Sequence, residues 1–185
     1  MTREAAGDTG TLVRNSSAYF LDFEASSLDP EGWPVEIGIA RVAEGAVSSE
    51  SCLIRPHAGW PAEAWSETSA RLHGLSLAQL ERDGIAAPEA AAWFRDRNDG
   101  IAVTDNPEFE RRWLVRLLAT DPPFPQVRLL DFESYLRLSL PNDAAVARAH
   151  AALAAQGPPP HRAGPDAERL ARAWAAGWKS APGQS

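Results

Sequence analysis

The feature that most constrains this chain is a short apolar segment, YFLDFEASS (19–27), which carries two acids. Its nearly continuous apolar run is typical of a strand that is buried on both faces of a sheet. Residues two apart in a strand point to the same face, so Asp22 and Glu24 stand side by side. Two like charges this close repel each other, and burying either one unpaired is costly. The strand therefore predicts a positively charged partner for its acids.

The order of predicted elements indicates a mixed α/β layer fold. Three segments joined by short turns, 17–26, 34–42 and 46–56, indicate an antiparallel meander of three strands. The best helix of the chain spans 106–121, with Asn106 as its N-cap and Pro107 at its first position. The other predicted elements are several short helices over 60–98, strands at 101–105 and 126–132, and helices from 133, over 142–156 and over 165–178.

Length and composition predict one soluble domain. The 185 residues suit a single packed domain, expected at 17–178 between a disordered lead-in (1–16) and a tail (179–185). One cysteine, Cys52, excludes an internal disulfide framework and fits a reducing compartment. The N-terminus has no apolar core of the signal-peptide kind, and no run of 18 apolar residues exists. We therefore expect a cytoplasmic protein with no membrane span.

The negative net charge limits the ways in which this chain can bind nucleic acid. The formal net charge is −7, whereas a protein that coats long nucleic acid through its phosphates needs dense Lys and Arg. An enzyme that holds a few phosphates locally through metal ions is not excluded.

The helix at 106–118 places a third acid on an apolar face. One broad arc of this helix holds Phe109, Trp113, Leu114, Leu117 and Leu118. Glu110 falls in the middle of that arc. A favourable interaction with the helix dipole explains Glu108 well and Glu110 badly. We therefore expect the Glu110 side chain to face inward.

The last helix supplies a fourth acid. Pro165 is expected at its first position, which puts Asp166 in the first turn. The expected inner arc is formed by Ala167, Leu170, Trp174, Gly177 and Trp178, and Asp166 lies at its edge. An Asp in a first turn is commonplace, and His161 in the preceding loop could be an ordinary surface histidine.

The four acids together predict a metal site. Asp22, Glu24, Glu110 and Asp166 would carry four negative charges, which cannot share a partly buried site uncompensated. The single lysine, Lys179, cannot balance them. Oxygen-only ligands favour hard divalent cations such as Mg²⁺ or Mn²⁺, and two such ions balance four carboxylates.

Three segments resemble the exonuclease motifs of the DEDDh 3′–5′ exonucleases, which are relatives of the bacterial proofreading subunit, ribonuclease T and oligoribonuclease. They are FLDFEASSL (20–28), DNPEFERRWL (105–114) and HRAGPD (161–166). LHGLS (72–76) is similar to a segment that these enzymes carry between the first two motifs. The resemblance covers roughly residues 17–178.

The resemblance implies a ribonuclease H-like fold and two-metal hydrolysis of phosphodiesters. It implies that Asp22 bridges two divalent cations, with Glu24 and Asp166 as further ligands and Glu110 at the second ion. His161 would be the general base. The product would be a nucleoside 5′-monophosphate released from the 3′ end of single-stranded DNA or RNA. A homodimer is left open, because several relatives are dimers.

The resemblance also implies candidates for substrate contact, and the sequence departs from the family at two places close to them. The candidates are Ala25, Ser26, Leu28, His73, Asn106 and Phe109. Phe23 is a further candidate, for which ordinary core packing is favoured. The family has Asp where this chain has Glu110, and His where it has Asp105, so Asp105 is a second candidate for the third acid. The family's Thr-Thr-Gly is replaced by residues 25–27.

Two other functions stay open, and the departures at Glu110 and at residues 25–27 support the first of them. One is a nuclease-fold module of impaired catalysis that binds nucleic acid or protein. The other is a small-molecule phosphoesterase, which would act on nucleotides but not on oligomers.

Overall fold

A five-stranded mixed sheet organises the protein, whose computed structural model describes residues 17–179. The strands are β1 (Ala18–Ala25), β2 (Pro34–Ala43), β3 (Ala46–Leu53), β4 (Ile101–Thr104) and β5 (Arg128–Asp131). Their order in the sheet is β3-β2-β1-β4-β5. The first three strands are antiparallel, and β4 and β5 run parallel to β1. The predicted sheet of a meander plus two parallel strands is thereby confirmed.

Seven α-helices flank the sheet within residues 17–179. They are α1 (Glu67–His73), α2 (Leu77–Asp83), α3 (Ala87–Arg95), α4 (Pro107–Leu118), α5 (Phe132–Ser139), α6 (Asp143–Ala155) and α7 (Ala163–Trp178). The hydroxyls of Ser66 and Ser76 cap α1 and α2, and Gly74 ends α1 with a φ of 71°. None of the helices in this part of the chain is both long and apolar enough to cross a membrane.

Two apolar cores lie on opposite faces of the sheet, because side chains alternate along β1. Phe20 packs into the core under α5, α6 and α7, whereas Tyr19 and Leu21 pack into the core under α3 and α4. Phe23 belongs to the second core and is 4% exposed, in keeping with core packing. The sheet is therefore covered on both sides, as the apolar run of β1 predicts.

Three local expectations differ from the structure. The last helix begins at Ala163 and not at Pro165, because the Asp166 carboxylate accepts the Arg162 backbone N–H and closes an earlier first turn. Trp178 is 52% exposed, because its neighbour Gly177 is the residue that the helix buries, against Leu140. Asn106 occupies the N-cap position of α4 but its side chain makes no capping hydrogen bond.

The predicted lead-in and tail are mostly outside the described residues. Residues 1–16 and 180–185 lie beyond the described range, which leaves Lys179 as the one described residue of the predicted tail.

Candidate active site

The acids of β1 lie in the middle of the sheet, near the carboxyl end of the strand. Asp22 and Glu24 follow Phe20 on the face that α7 covers. The parallel neighbour β4 ends at Thr104, so Asp105 follows at the same edge of the sheet. Carboxyl ends of parallel strands are where α/β proteins place their ligand sites. The local topology therefore places the acids of β1 and Asp105 at the same end, the carboxyl end, of two neighbouring strands.

A close approach between α7 and β2 brings the third motif to these acids. Gly38 of β2 is paired with Asp22 across the sheet. A Cβ atom at Gly38 would lie 2.2 Å from the backbone carbon of Ala163, so only glycine lets the start of α7 lie against the sheet here. Asp166, in the first turn of α7, is thereby held beside the carboxylates of β1.

The carboxylates form two groups that share one residue. Asp22, Glu24 and Asp166 each offer an oxygen, and these atoms lie within 4.8 Å of one another. Asp22, Asp105 and Glu110 form a second such group within the same distance. Five carboxylates from three separate parts of the chain therefore meet, with Asp22 between the two groups. Both candidates for the third acid are close enough to take part.

Burial and mutual repulsion raise the pKa of every carboxyl in these groups. Burial raises the pKa of Asp22 well above its ordinary range, and Glu24 and Asp105 raise it further. Burial, followed by the charge of Asp166, raises the pKa of Glu24 to about 8. Burial also raises the pKa values of Glu110, Asp105 and Asp166. The metal-free site is electrostatically unfavourable as a set of ionised acids.

Unpartnered oxygens make this site suitable for a cation. Glu110 is 3% exposed, and its buried Oε2 has no hydrogen-bond partner within the described chain. Asp166 Oδ1 is likewise buried without a hydrogen bond, and the nearest cation, Arg169 Nε, is 3.5 Å away. Carboxylate oxygens are the ligands that hard divalent cations prefer. The residues present therefore fit a hard divalent cation.

The two candidates for the third acid differ in burial, and this difference gives a test. Glu110 is enclosed by the apolar face of α4, whereas Asp105 is exposed and water can take its place. We expect Glu110→Gln to lower turnover by about 10²-fold, equivalent to about 3 kcal/mol. Asp105→Asn should cost about tenfold or less. Steady-state kinetics on a labelled oligonucleotide compares the two variants, and the reverse order of losses would contradict the assignment.

His161 lies beside the acids without belonging to either group. It is half-buried and lines the same cavity as Asp166. Its φ is 55°, in the left-handed region that non-glycine residues seldom adopt. Such a conformation persists only where the surroundings impose it, and it often occurs at functional sites.

The carboxylates form one wall of a cavity of about 820 Å³. Five of the six predicted substrate contacts line it, namely Ala25, Leu28, His73, Asn106 and Phe109. Leu28 is 66% exposed at the cavity, whereas His73 is buried. Phe109 stacks on Trp113, with ring centroids 5.5 Å apart.

Ser26 is the predicted contact that the structure does not bring to the cavity. It is fully buried, and its hydroxyl accepts a hydrogen bond from the Trp33 backbone N–H. Its backbone N–H donates to the Trp33 carbonyl. Ser26 therefore shapes the turn that follows β1 and has no free group for a nucleotide.

Most of the cavity wall formed by α1 was not predicted. Thr68, Ser69 and Arg71 line the cavity and lie outside the LHGLS segment (72–76), whereas Leu72 and His73 belong to it. The helix α1 (Glu67–His73) runs directly into that segment, and this continuity was the available signal. Glu36 was also missed. It is an acid at the centre of a strand and is 1% exposed.

Comparisons with protein-family models and with curated proteins find no match. Comparison with solved structures does find matches. The zinc-bound E. coli exonuclease I–ssDNA complex superposes with a TM-score of 0.60 at 16% identity, covering 86% of this chain and 40% of that one. The likeness shows a shared fold.

Two further structures give the same result. Product-bound exonuclease I has a TM-score of 0.53 at 16% identity, over 77% of this chain and 33% of that one. Exonuclease I from Methylocaldum szegediense has a TM-score of 0.53 at 12% identity, over 76% of this chain and 30% of that one. This chain therefore spans 40% or less of the length of these neighbours, and the ribonuclease H-like exonuclease fold is the shared part.

Proposed function

We propose that this protein is a divalent-cation-dependent exonuclease of the DEDDh type, which removes nucleotides from the 3′ end of single-stranded nucleic acid. The observation that carries the proposal is the pair of carboxylate groups that share Asp22 inside one cavity. The fold supports it, because the matching structures are exonucleases and one is a complex with ssDNA.

The donor set divides naturally between two cations. Glu24 and Asp166 would hold one ion, Glu110 and Asp105 would hold the other, and Asp22 would contact both. When bound, two divalent cations supply about +4 of charge, activate water and stabilise the charge that develops on the phosphate oxygens. The same positive charge removes the repulsion that raises the carboxyl pKa values in the metal-free chain.

His161 would take the proton from the attacking water. It reaches the cavity next to Asp166 and is not in either carboxylate group, so its imidazole is free for proton transfer. Imidazole is the side chain best suited to accept a proton near neutral pH. The imposed backbone conformation at His161 fixes the position from which the side chain enters the cavity.

The apolar part of the cavity would hold the terminal nucleotide. Leu28 and Leu72 present exposed apolar side chains at its rim, and the stacked rings of Phe109 and Trp113 form a wall. Unstacked bases bind such surfaces through their faces, which needs a free single strand. Arg112 lies over the Phe109 ring and donates to the Leu28 carbonyl, so it ties these two parts of the cavity together.

A direct assay tests the proposal. Purified protein is incubated with 5′-labelled and 3′-labelled single-stranded DNA and RNA, with circular single strands, and with Mg²⁺, Mn²⁺ or excess chelator. We expect nucleoside 5′-monophosphates from the 3′ end, only when a divalent cation is present. Full activity in chelator, or cleavage of the circles, would contradict the proposal. Release of phosphate from mononucleotides alone would indicate a phosphoesterase, and cation binding without turnover would indicate a binding module.

A further inference from the structure

A buried carboxylate outside the candidate metal site binds the loop that carries His161. Glu36 of β2 is 1% exposed. Its Oε2 accepts hydrogen bonds from Arg162 Nε at 2.8 Å and from the Ala163 backbone N–H at 3.1 Å. Its Oε1 accepts from Arg162 Nη2 and from the Ser51 hydroxyl, both at 3.0 Å. Both oxygens of this carboxylate are therefore fully used.

These contacts attach the start of α7 to two strands. Glu36 lies on β2 and Ser51 on β3, while Ala163 is the first residue of α7. A Cβ atom at Gly164 would lie 3.2 Å from the Ser51 side chain, so the backbone at the start of α7 lies close to β3. A bidentate Arg–carboxylate pair fixes both direction and distance. The position of the helix start is thereby determined by Glu36.

Arg162 connects this attachment to both functional residues of the third motif. Its guanidinium binds Glu36, and its backbone N–H donates to Asp166 Oδ2 at 2.9 Å. It also directly follows His161, whose φ is 55°. A residue held in the left-handed region needs fixed neighbours, because an extended or right-handed conformation is otherwise preferred.

Glu36 is suited to this positioning role and not to metal binding. It is paired with Glu24 across β1 and β2, yet it belongs to neither group of carboxylates. The guanidinium of Arg162 neutralises it. Glu36 therefore already has a cationic partner, and its hydrogen bonds leave no free oxygen for a metal ion.

We propose that Glu36 and Arg162 form a positioning pair that sets His161 and Asp166 against the carboxylates of β1. The pair acts through the backbone of residues 161–166, and neither side chain needs to touch the substrate. The expected effect on turnover rests on the proposed nuclease function, whereas the effect on the loop does not. Residues that orient a catalytic group typically change activity by about 10- to 100-fold when they are replaced.

The main test replaces Glu36→Gln, which keeps the size of the side chain and removes its charge. We expect kcat to fall by about 10- to 100-fold with KM for a short oligonucleotide changed by about threefold or less. Hydrogen exchange of a peptide spanning 158–168 should become about tenfold faster, because the Ala163 and Asp166 amides lose their fixed surroundings. Peptides from β4 and α4 should exchange as in the wild type.

The matched control is Glu168→Gln. Glu168 also joins α7 to β3, because it accepts from the Ser49 hydroxyl at 2.6 Å, and it also pairs with an arginine of α7, Arg172. It differs in lying beyond the first turn of the helix. We expect this variant to keep kcat and the exchange of residues 158–168 within about twofold of the wild type.

A double variant distinguishes a positioning role from a simple loss of stability. Arg162→Met leaves Glu36 buried without its cation, and Glu36→Gln/Arg162→Met removes both charges. The double variant should regain the thermal midpoint that Arg162→Met loses, while kcat and loop exchange stay at the level of Glu36→Gln. A double variant that regains kcat together with stability would show a purely structural pair and overturn the proposal.

Different results would contradict the proposed nuclease function and the positioning role of Glu36 and Arg162. If the wild-type protein releases no nucleotides under any cation, the proposed function is wrong, and the exchange of 158–168 alone decides the positioning role. If the wild type is active and Glu36→Gln changes neither kcat nor loop exchange by more than about twofold, the positioning role is wrong.

Discussion

Asp22→Asn is expected to lower the rate of nucleotide release by about 10³-fold or more, since metal-ion stabilisation is worth several kcal/mol and each 1.4 kcal/mol is tenfold. The physical reason is its position, because Asp22 is the residue that belongs to both carboxylate groups. An amide offers one weak oxygen donor and no charge, so the substitution weakens both cation sites at once. Single-turnover kinetics and isothermal titration with Mn²⁺ measure the two losses.

The same substitution should stabilise the metal-free protein. The Asp22 carboxyl is surrounded by Glu24, Asp105 and Asp166, and burial and these charges raise its pKa. Removing its charge relieves repulsion, so the thermal midpoint in chelator should rise above that of the wild type. A cation should raise the midpoint of the wild type and have little effect on Asp22→Asn. Glu81→Gln, at an exposed position in the second turn of α2, is the control and should leave activity and both midpoints unchanged.

The pH dependence of the thermal midpoint is a second test of the electrostatics of the carboxylate site. The pKa of Glu24 is raised from 4.5 to about 8 in the metal-free chain. A raised carboxyl pKa means that the folded state holds the proton more tightly, so this contribution is present below about pH 4.5 and is lost as pH rises toward 8. The midpoint in chelator should therefore fall across that range, and saturating Mg²⁺ should reduce the fall. A thermal midpoint that does not change with pH in chelator, or that falls equally steeply with pH in saturating Mg²⁺, would contradict the electrostatic account.

The sequence predicted the parts of the site that are visible in local periodicity. The alternation of β1 places Asp22 and Glu24 on one face, and the helical arc of α4 predicts the burial of Glu110, which is 3% exposed. Both features depend on residues within one turn or one strand. The mixed sheet was predicted in the same way, because each strand and each turn is a short segment with its own local pattern.

The contacts that the sequence did not reveal are those between distant segments. Glu36 and Arg162 lie 126 residues apart, and no local pattern distinguishes Glu36 from a solvated acid in a strand. The choice between Asp105 and Glu110 as the third acid likewise cannot be made from a local pattern alone. Helical periodicity can rank their burial, but only the packing of α4 beside the end of β4 shows that both carboxylates reach Asp22.

His161→Ala is expected to lower turnover by about 10²- to 10⁴-fold, which is the usual contribution of a general base. Cation affinity should stay within about threefold of the wild type, because His161 lies outside both carboxylate groups and contributes no ligand to them. Single-turnover rates at saturating Mn²⁺ and titration of Mn²⁺ measure the two quantities separately. Loss of cation binding as complete as in Asp22→Asn would show that the imidazole is a ligand and not a base.

The backbone at His161 requires a second variant, because a φ of 55° is unfavourable for alanine. Asn adopts the left-handed region more readily than other non-glycine residues, and its amide cannot act as a base at neutral pH. His161→Asn should therefore keep the fold of the loop and be about as inactive as His161→Ala. If His161→Asn retains turnover within about tenfold of the wild type, the loss in His161→Ala comes from the backbone of the loop. Equal losses in both variants, with cation affinity intact, assign the proton transfer to the imidazole.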